Sequence, residues 1–357
     1  MRDVKKPRVW KMGKIRERLR RILCLAAAVL LACLSVSAAA DPEVRFKSFN
    51  DVMKYIKENQ PKDLDIGSVR IKPTELEKIA DALQEGGTLR FSTSWCGTVI
   101  TESDEIIDLN GSKTNVTVKD VEILIRLVPG VKKIILSAHR NLSNKEMIPL
   151  LEKYPEIEFV WLINLAGAYT LSSDATAYST MKGEKTGRKL KSSELEVLKY
   201  APDLKALDLG HHAITSLDFL KGLDLELLIL ADNDITDISV LAEMPHLQYA
   251  ELFMNDITDV SPLAACTELL DLNLCFNKIT DLAPLDACTK LERLWAIRNK
   301  ELGEAAQQYF IGTHPDCETV FFSGSKSSTG EGWRDHPRYK HYVPCLKKHV
   351  WVPFGED

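Results

Sequence analysis

The chain has 357 residues, of which 45% are hydrophobic and 27% charged, with a formal net charge of −5. That balance is globular, and it excludes a disordered polyelectrolyte or a fibrous repeat of the collagen kind. The excess of acid also argues against a nucleic-acid partner.

Charge is unevenly placed at the amino end: residues 1–21 hold ten Lys or Arg and two acids, whereas residues 22–40 hold none. The stretch ILCLAAAVLLACLSVSAAA reads as the apolar core of an export signal, with cleavage after Ala40 at the small residues Ala38, Ala39 and Ala40. Two alternatives stay open: a lipid on Cys33, which follows Leu30-Leu31-Ala32 as in a lipoprotein signal, and an uncleaved anchor. Met12, just before GKIRERLRR, competes with Met1 as the start. Beyond residue 40 the chain keeps 36 basic and 49 acidic residues, a net of −13. The expectation is a secreted or cell-surface protein, touching a membrane only through Cys33 or an uncleaved signal.

Residues 41–130 are expected to form irregular helical repeats and an amino-terminal cap. Helix-start signals recur at Thr74, Thr117, Ser143 and Ser192, and each apolar helix end runs through a turn into a strand candidate such as LRFSTSW, VKKIIL or LKALDL. The leucine-rich solenoid proper is placed at 131–322. Two polar insertions interrupt the pattern, 94–117 and 165–191, the second read as a loop or hairpin excursion of the kind that is often functional.

The regular centre lies between Leu204 and Asn299. LKALDLGHHAIT, LELLILADNDIT, LQYAELFMNDIT, LLDLNLCFNKIT and LERLWAIRNK each end a strand-like run on His or Asn. His212, Asn233, Asn255, Asn277 and Asn299 are spaced 21, 22, 22 and 22 residues apart, the period of a leucine-rich solenoid. Leu247, Ala250 and Leu252 form one side of a strand and Tyr249, Glu251 and Phe253 the other. The polar column turns the chain, and its amides can satisfy backbone groups left over by the turn. Pro262 and Pro284 fit the first turn of short return helices. Asp237, Asp259 and Asp281 read as caps before them, since one carboxylate per rung is too sparse for a calcium site. FIGTHPDCETVFF repeats the template once more, which places Cys317, Val320 and Phe322 inside; about nine rungs result, with residues 323–357 left as a carboxy-terminal cap.

The run NDITDVSPLAACTELLDLNLCFNKITDLAPLDACTKLERL resembles the repeat of the internalin family, the short-helix class of bacterial leucine-rich repeat proteins. The resemblance is strong over residues 204–299 and implies an α/β solenoid, with a curved parallel sheet on the concave face and helices and 3-10 turns on the convex face. It also implies a secreted or surface-attached protein that binds another macromolecule through the concave face. No wall-sorting motif follows residue 350, so covalent wall attachment is not expected.

On the concave face Tyr249, Phe253, Met254, Phe276, Trp295 and Ile297 gather on three rungs, rimmed by Glu251, Asp271, Arg293 and Arg298. Aromatic anchors with a charged rim are the composition of a protein interface. A glycan stacked on Trp295 and Tyr249 is the rival, and folding of the cap or of the excursion over this face is the internal alternative. Trp161, several rungs away, marks a second contact or lies under the excursion. Were residues 1–40 not a signal, a phosphatase-regulating solenoid would also compete. The oligomeric state is left open.

Six cysteines follow the signal: Cys96, Cys266, Cys275, Cys288, Cys317 and Cys345. Cys317 with Cys345 is the preferred disulfide, tying the last rung to the cap; Cys266 with Cys288 on adjacent rungs is the other, against the plainer role of small buried hydrophobes. His341, Cys345 and His349 share a zinc-like spacing, but Pro344 should break the helix that would align them, and no metal or cofactor is expected. Ser179 and Lys182, with Lys185 to Gly187, imitate acyl-transferase fragments, yet they sit together in one insertion rather than on separate elements. No catalytic motif supports an enzyme.

Overall fold

The structure, a computed structural model, describes residues 45–111, 114–181, 187–322 and 332–355. The export signal, Cys33, and the Lys182, Lys185 and Thr186 of the acyl-transferase-like fragments lie outside the described residues. Residues up to Ser94 and residues Trp95–Asp357 form two compact units.

In the first unit, helix α1 (Phe49–Asn59) precedes strand β1 (Leu64–Ser68), and helix α2 (Pro73–Ala82) precedes β2 (Leu89–Trp95). The strands pair in parallel, Leu64 opposite Leu89. Ser48 caps α1 through the backbone N–H of Asp51. The cap of α2 lies two positions before the expected Thr74: Lys72 precedes Pro73, which opens the helix, and the Glu75 carboxylate accepts from the Lys72 N–H at 2.9 Å. Thr93 anchors the link between α2 and β1 by accepting from the Ile71 N–H at 3.0 Å and donating to its carbonyl at 2.8 Å.

The second unit is a leucine-rich repeat solenoid. After β3 (Thr98–Thr101), strands β4 (Ile106–Asp108), β5 (Lys133–Ile135) and β6 (Glu158–Val160) form a parallel sheet. They are joined by α3 (Val118–Leu127) and α4 (Asn144–Lys153), which start at the expected Thr117 and Ser143, each in a capping box, with Asp120 and Glu146 respectively. An antiparallel hairpin follows, β7 (Leu162–Leu165) with β8 (Tyr169–Ser172). Seven parallel strands complete the unit: β9 (Ala177–Ser179), β10 (Ala206–Asp208), β11 (Leu227–Ile229), β12 (Tyr249–Glu251), β13 (Asp271–Asn273), β14 (Arg293–Trp295) and β15 (Glu318–Val320). Helix α5 (Glu304–Thr313) leads into β15, and α6 (Pro337–Lys348) comes last.

Several expectations are corrected. Both polar insertions contain rungs: β4 comes from residues 94–117, and β9 from 165–191, where it adds a strand beside β10 in addition to the hairpin. Polar composition hid them, because three-residue strands carry too little alternation to stand out. Residues 192–200 form 3-10 turns, and the Ser192 hydroxyl instead accepts the N–H groups of Thr215 at 3.0 Å and Ser216 at 2.9 Å. Pro344 lies inside α6 without ending it. At the last rung the register sets Glu318 opposite Arg293 and Val320 opposite Trp295, so Thr319 points inward. Phe322, expected inside, is 74% exposed. A one-residue slip in a strand exchanges its two faces.

The regular rungs agree with the sequence in detail. Leu207, Leu228, Ala250, Leu272 and Leu294 are in register and fully buried. Pro262 and Pro284 sit at the start of 3-10 turns, and Asp237, Asp259 and Asp281 accept from the N–H two residues on at 2.8, 2.8 and 2.9 Å. Between rungs the asparagines form a continuous ladder. The Asn255 Nδ2 donates to the carbonyls of Leu230 and Leu252, both at 3.0 Å, while its Oδ1 accepts from the Ile235 N–H at 3.1 Å. Asn233, Asn277 and Asn299 repeat the arrangement.

His212 closes the column with imidazole chemistry. Its Nδ1 accepts from the Leu190 N–H at 3.2 Å, and Nε2 lies 2.8 Å from the Thr180 hydroxyl. Burial, with the neighbouring charges of His211 and Lys189 behind it, lowers its pKa from 6.5 to about 4, so the ring is neutral near pH 7.

Two stability outcomes follow. Asn255→Ala strands one donor and two acceptors in the interior, and a loss of about 2–4 kcal/mol is expected in urea unfolding. For His212, the unfolded chain takes up a proton near pH 6.5 that the folded chain resists until about pH 4. Its contribution is therefore complete above about 6.5 and lost as pH falls through that window, by up to about 3 kcal/mol. His212→Asn should keep the ladder and remove this part of the acid sensitivity, measured as the difference in melting temperature between pH 7 and pH 4.5.

Candidate binding surfaces

Register alone puts two columns of side chains on the concave side of the seven-stranded sheet. One runs Ala206, Leu227, Tyr249, Asp271 and Arg293, and the other Asp208, Ile229, Glu251, Asn273 and Trp295. Four of the residues expected to meet a partner, Tyr249, Glu251, Arg293 and Trp295, stand in these columns, and Phe253 and Ile297 follow just after their strands. They are not open to solvent: Tyr249, Glu251, Phe253, Arg293, Trp295 and Ile297 are all buried, beneath the chain's own carboxy-terminal segment.

Trp333, Tyr342, Cys345, Leu346 and Trp351 complete that apolar cluster, with Tyr339, Val343, Val352 and Phe354 packed against it. Tyr249 is the hub, its ring centroid 4.9 Å from Tyr342, 5.8 Å from Trp333 and 6.3 Å from Phe354. Trp295 meets Trp333 edge-on at 5.6 Å. Edge-to-face pairs of this sort add about 0.5–1.5 kcal/mol each beyond the area that they bury.

Several buried polar groups are paired across the same contact, while Asp271 Oδ2 and the Arg293 Nε and Nη1 make no hydrogen bond. Glu251 accepts from the Tyr249 hydroxyl, from the Trp333 indole N–H at 3.0 Å and from the Tyr342 hydroxyl at 3.0 Å. Burial first, and the Glu251 charge second, hold both phenols well above their usual pKa. One rung on, Asp271 is fully buried and takes an ion pair from Arg338 at 2.9 Å, with Arg293 at 3.6 Å. Burial raises its carboxyl pKa against the pull of the two arginines. Arg338 also pairs with Glu292, and the Arg293 guanidinium lies 4.3 Å over the Trp333 ring and donates to the Trp333 carbonyl at 3.2 Å. At the other end, the Trp351 indole donates to Glu226 at 2.8 Å, and its backbone N–H to the Thr176 hydroxyl at 2.7 Å.

Trp161 is likewise closed off from solvent. It is 1% exposed and meets Tyr200 edge-on at 6.3 Å, while its carbonyl accepts from the Ser173 N–H at 2.8 Å and its N–H donates to the Ser173 hydroxyl at 3.1 Å.

Two of the expected residues stand apart. Met254 and Phe276 are 42% and 39% exposed. They belong to a second column, one residue before each ladder position, in which His211, Asp232, Met254, Phe276 and Arg298 all have φ between 55° and 62°. The left-handed conformation lets each N–H reach the next strand, as Met254 does to the Cys275 carbonyl at 2.9 Å and Phe276 to Ile297 at 2.7 Å. A non-glycine residue there costs about 1–2 kcal/mol, and Asn or Gly would suit it best. Large apolar groups at these sites form an exposed ridge in which Arg298 lies over the Phe276 ring at 5.3 Å, and His211 Nδ1 lies 2.7 Å from Asp232. The sequence carried the signal, since these residues occupy the position just before each ladder Asn, but strand alternation does not extend to a left-handed turn.

The disulfide expectation is corrected. Cys317 and Cys345 are both free thiols, as are Cys96, Cys266, Cys275 and Cys288. Cys345 packs in the concave cluster, whereas Cys317 precedes β15 and lies outside that cluster. Cys266 and Cys288 donate to the carbonyls of Leu241 and Leu263 at 3.3 and 3.2 Å, and burial pushes their thiols up to about 12 and about 11. His341 Nε2 lies 2.7 Å from the Val352 carbonyl, and no cluster of three metal-ligating residues exists among the described residues.

Six free thiols should therefore be titrated in the denatured chain from residue 41 onward, without reductant. Glu251→Ala leaves two phenols and an indole N–H without their buried acceptor. A loss of about 3 kcal/mol or more is expected, with a red shift in tryptophan emission as Trp333 becomes wet.

No protein-family model and no curated protein sequence matches the chain. Solved structures that it is similar to include an internalin C2 from Listeria monocytogenes, at 23% identity and a TM-score of 0.35, over 65% of this chain and 88% of that one. Another is an internalin F from the same organism, at 15% identity and a TM-score of 0.33, over 80% and 87% of the two chains. A leucine-rich repeat protein from Leptospira interrogans aligns at 18% identity and a TM-score of 0.30, over 73% and 90%. At these values the assignment of a leucine-rich repeat solenoid rests on the register and the asparagine ladder described above.

Proposed function

We propose that this chain is an exported, non-enzymatic leucine-rich repeat protein that binds another protein, and that the partner meets the ridge at Met254 and Phe276. One observation carries this reading: large apolar side chains stand exposed at left-handed positions where smaller polar residues would be less strained. Arg298 and the His211–Asp232 pair supply polar contacts along the same column. Tyr249, Glu251, Phe253, Arg293, Trp295 and Ile297, first expected to touch the partner, pack instead against the carboxy-terminal segment, which occupies their face. The same cover removes the stacking platform that a glycan on Trp295 and Tyr249 would require. Export rests on the composition of residues 1–40, and among the described residues no helix is long and apolar enough to cross a membrane.

The test is capture of partners by the chain from residue 41 onward, beside a Met254→Asn, Phe276→Asn variant. Asn is tolerated at left-handed φ, so the variant should melt within a few degrees of the parent while its partner is lost. Capture of the same partner by the variant would sink the ridge. If Trp351→Ala with Phe354→Ala instead increases capture, the covered concave face is the binding surface.

A further inference from the structure

At the break between the two parallel sheets of the second unit lies a cleft of about 340 Å³, walled by the β7–β8 hairpin, the loop before α4, strand β9 and the end of α6. Its volume is at the lower end of small-molecule sites, which run from about 300 to 1,000 Å³. Among the described residues no acidic side chain lines it, although the chain as a whole is acidic. Arg140 stands at the cleft with no ion-pair partner among the described residues.

Tyr178 is the second observation. The residue is 3% exposed and lines the cleft, and its hydroxyl makes no hydrogen bond among the described residues. A phenol on a cleft wall with no partner in its own chain can give a hydrogen bond to a polar ligand atom. Burial raises the Tyr178 pKa, which keeps the phenol protonated as a donor. The His349 ring packs against Tyr178 at 5.4 Å and is held neutral by its own burial. Its backbone is left-handed, with φ of 59°, where a β-carbon is strained, and that turn carries the ring to the cleft. Asn164 and Tyr169 complete a lining of aromatic and amide surface.

We propose that this cleft binds a small, sugar-sized organic anion through its carboxylate, which pairs with Arg140, while Tyr178 and His349 hydrogen-bond its hydroxyl groups. A single guanidinium matches a carboxylate in charge and in fork geometry, whereas a phosphate dianion would stay half-neutralised. Aromatic walls with amide and hydroxyl donors suit a ring that is apolar on its faces and polar at its edge. The site lies on rungs apart from Met254 and Phe276, so it stands or falls independently of the protein-binding ridge.

Calorimetric titration of the chain from residue 41 onward with D-glucuronate, D-glucose and D-glucose 6-phosphate tests it. Saturable binding of glucuronate at least tenfold tighter than glucose is expected, weakened about tenfold or more by Arg140→Gln and by Tyr178→Phe. Arg140 is exposed, so its variant keeps the fold even if Tyr178→Phe does not. Glucuronate binding no tighter than glucose, or unchanged in Arg140→Gln, overturns the site. Tighter binding of glucose 6-phosphate overturns the carboxylate assignment.

Discussion

The asparagine amide that bonds three backbone groups on two neighbouring rungs is the constraint on which the solenoid depends. Each rung turns sharply after its strand, and the turn leaves carbonyls and an N–H facing the interior, away from water. A buried backbone group without a partner costs about as much as a lost hydrogen bond, so a repeat this short could not stack without an internal substitute for water. Asn255 supplies it to Leu230, Leu252 and Ile235, and its neighbours repeat the service at one-rung intervals. Because every ladder amide bonds to the rung before it as well as its own, the rungs are coupled, and the loss of one is felt by two.

The same turn generates the exposed column. To place the asparagine inward, the preceding residue must adopt positive φ, which directs its side chain outward at the edge of the sheet. Structure and candidate function are therefore linked through one backbone conformation: the ladder fixes five left-handed positions from His211 to Arg298, and their side chains remain free to vary. Interior demand sets where they stand. It does not set what they are.

The concave face shows how a surface of binding composition can be used internally. Tyr249 and Trp295 have the area of interface anchors, and Glu251 and Asp271 are charges that burial would penalise severely if unpaired. The carboxy-terminal segment answers both, with Trp333 and Tyr342 for the rings and Glu251, and Arg338 for Asp271. It lies along the sheet as a partner would, from Trp295 to Thr176, while the β7–β8 hairpin end is bonded to the Trp161 backbone. Between them remains the cleft around Tyr178.

Period and composition determined the solenoid, its polar column, the aspartate caps and the proline-led turns, because these arise from contacts between a rung and an identical neighbour, which a repeating sequence states directly. The side to which Tyr249 and Trp295 point followed from alternation alone. Their burial did not, since it depends on contacts with Trp333 and Tyr342, distant in the chain and in a segment that carries no repeat. The same holds for the rung hidden in 177–179, which only pairing with Ala206–Asp208 makes a strand, and for Cys317 and Cys345, whose separation was set by how α6 docks. Local periodicity tells which residues share a face; only tertiary packing decides what covers it.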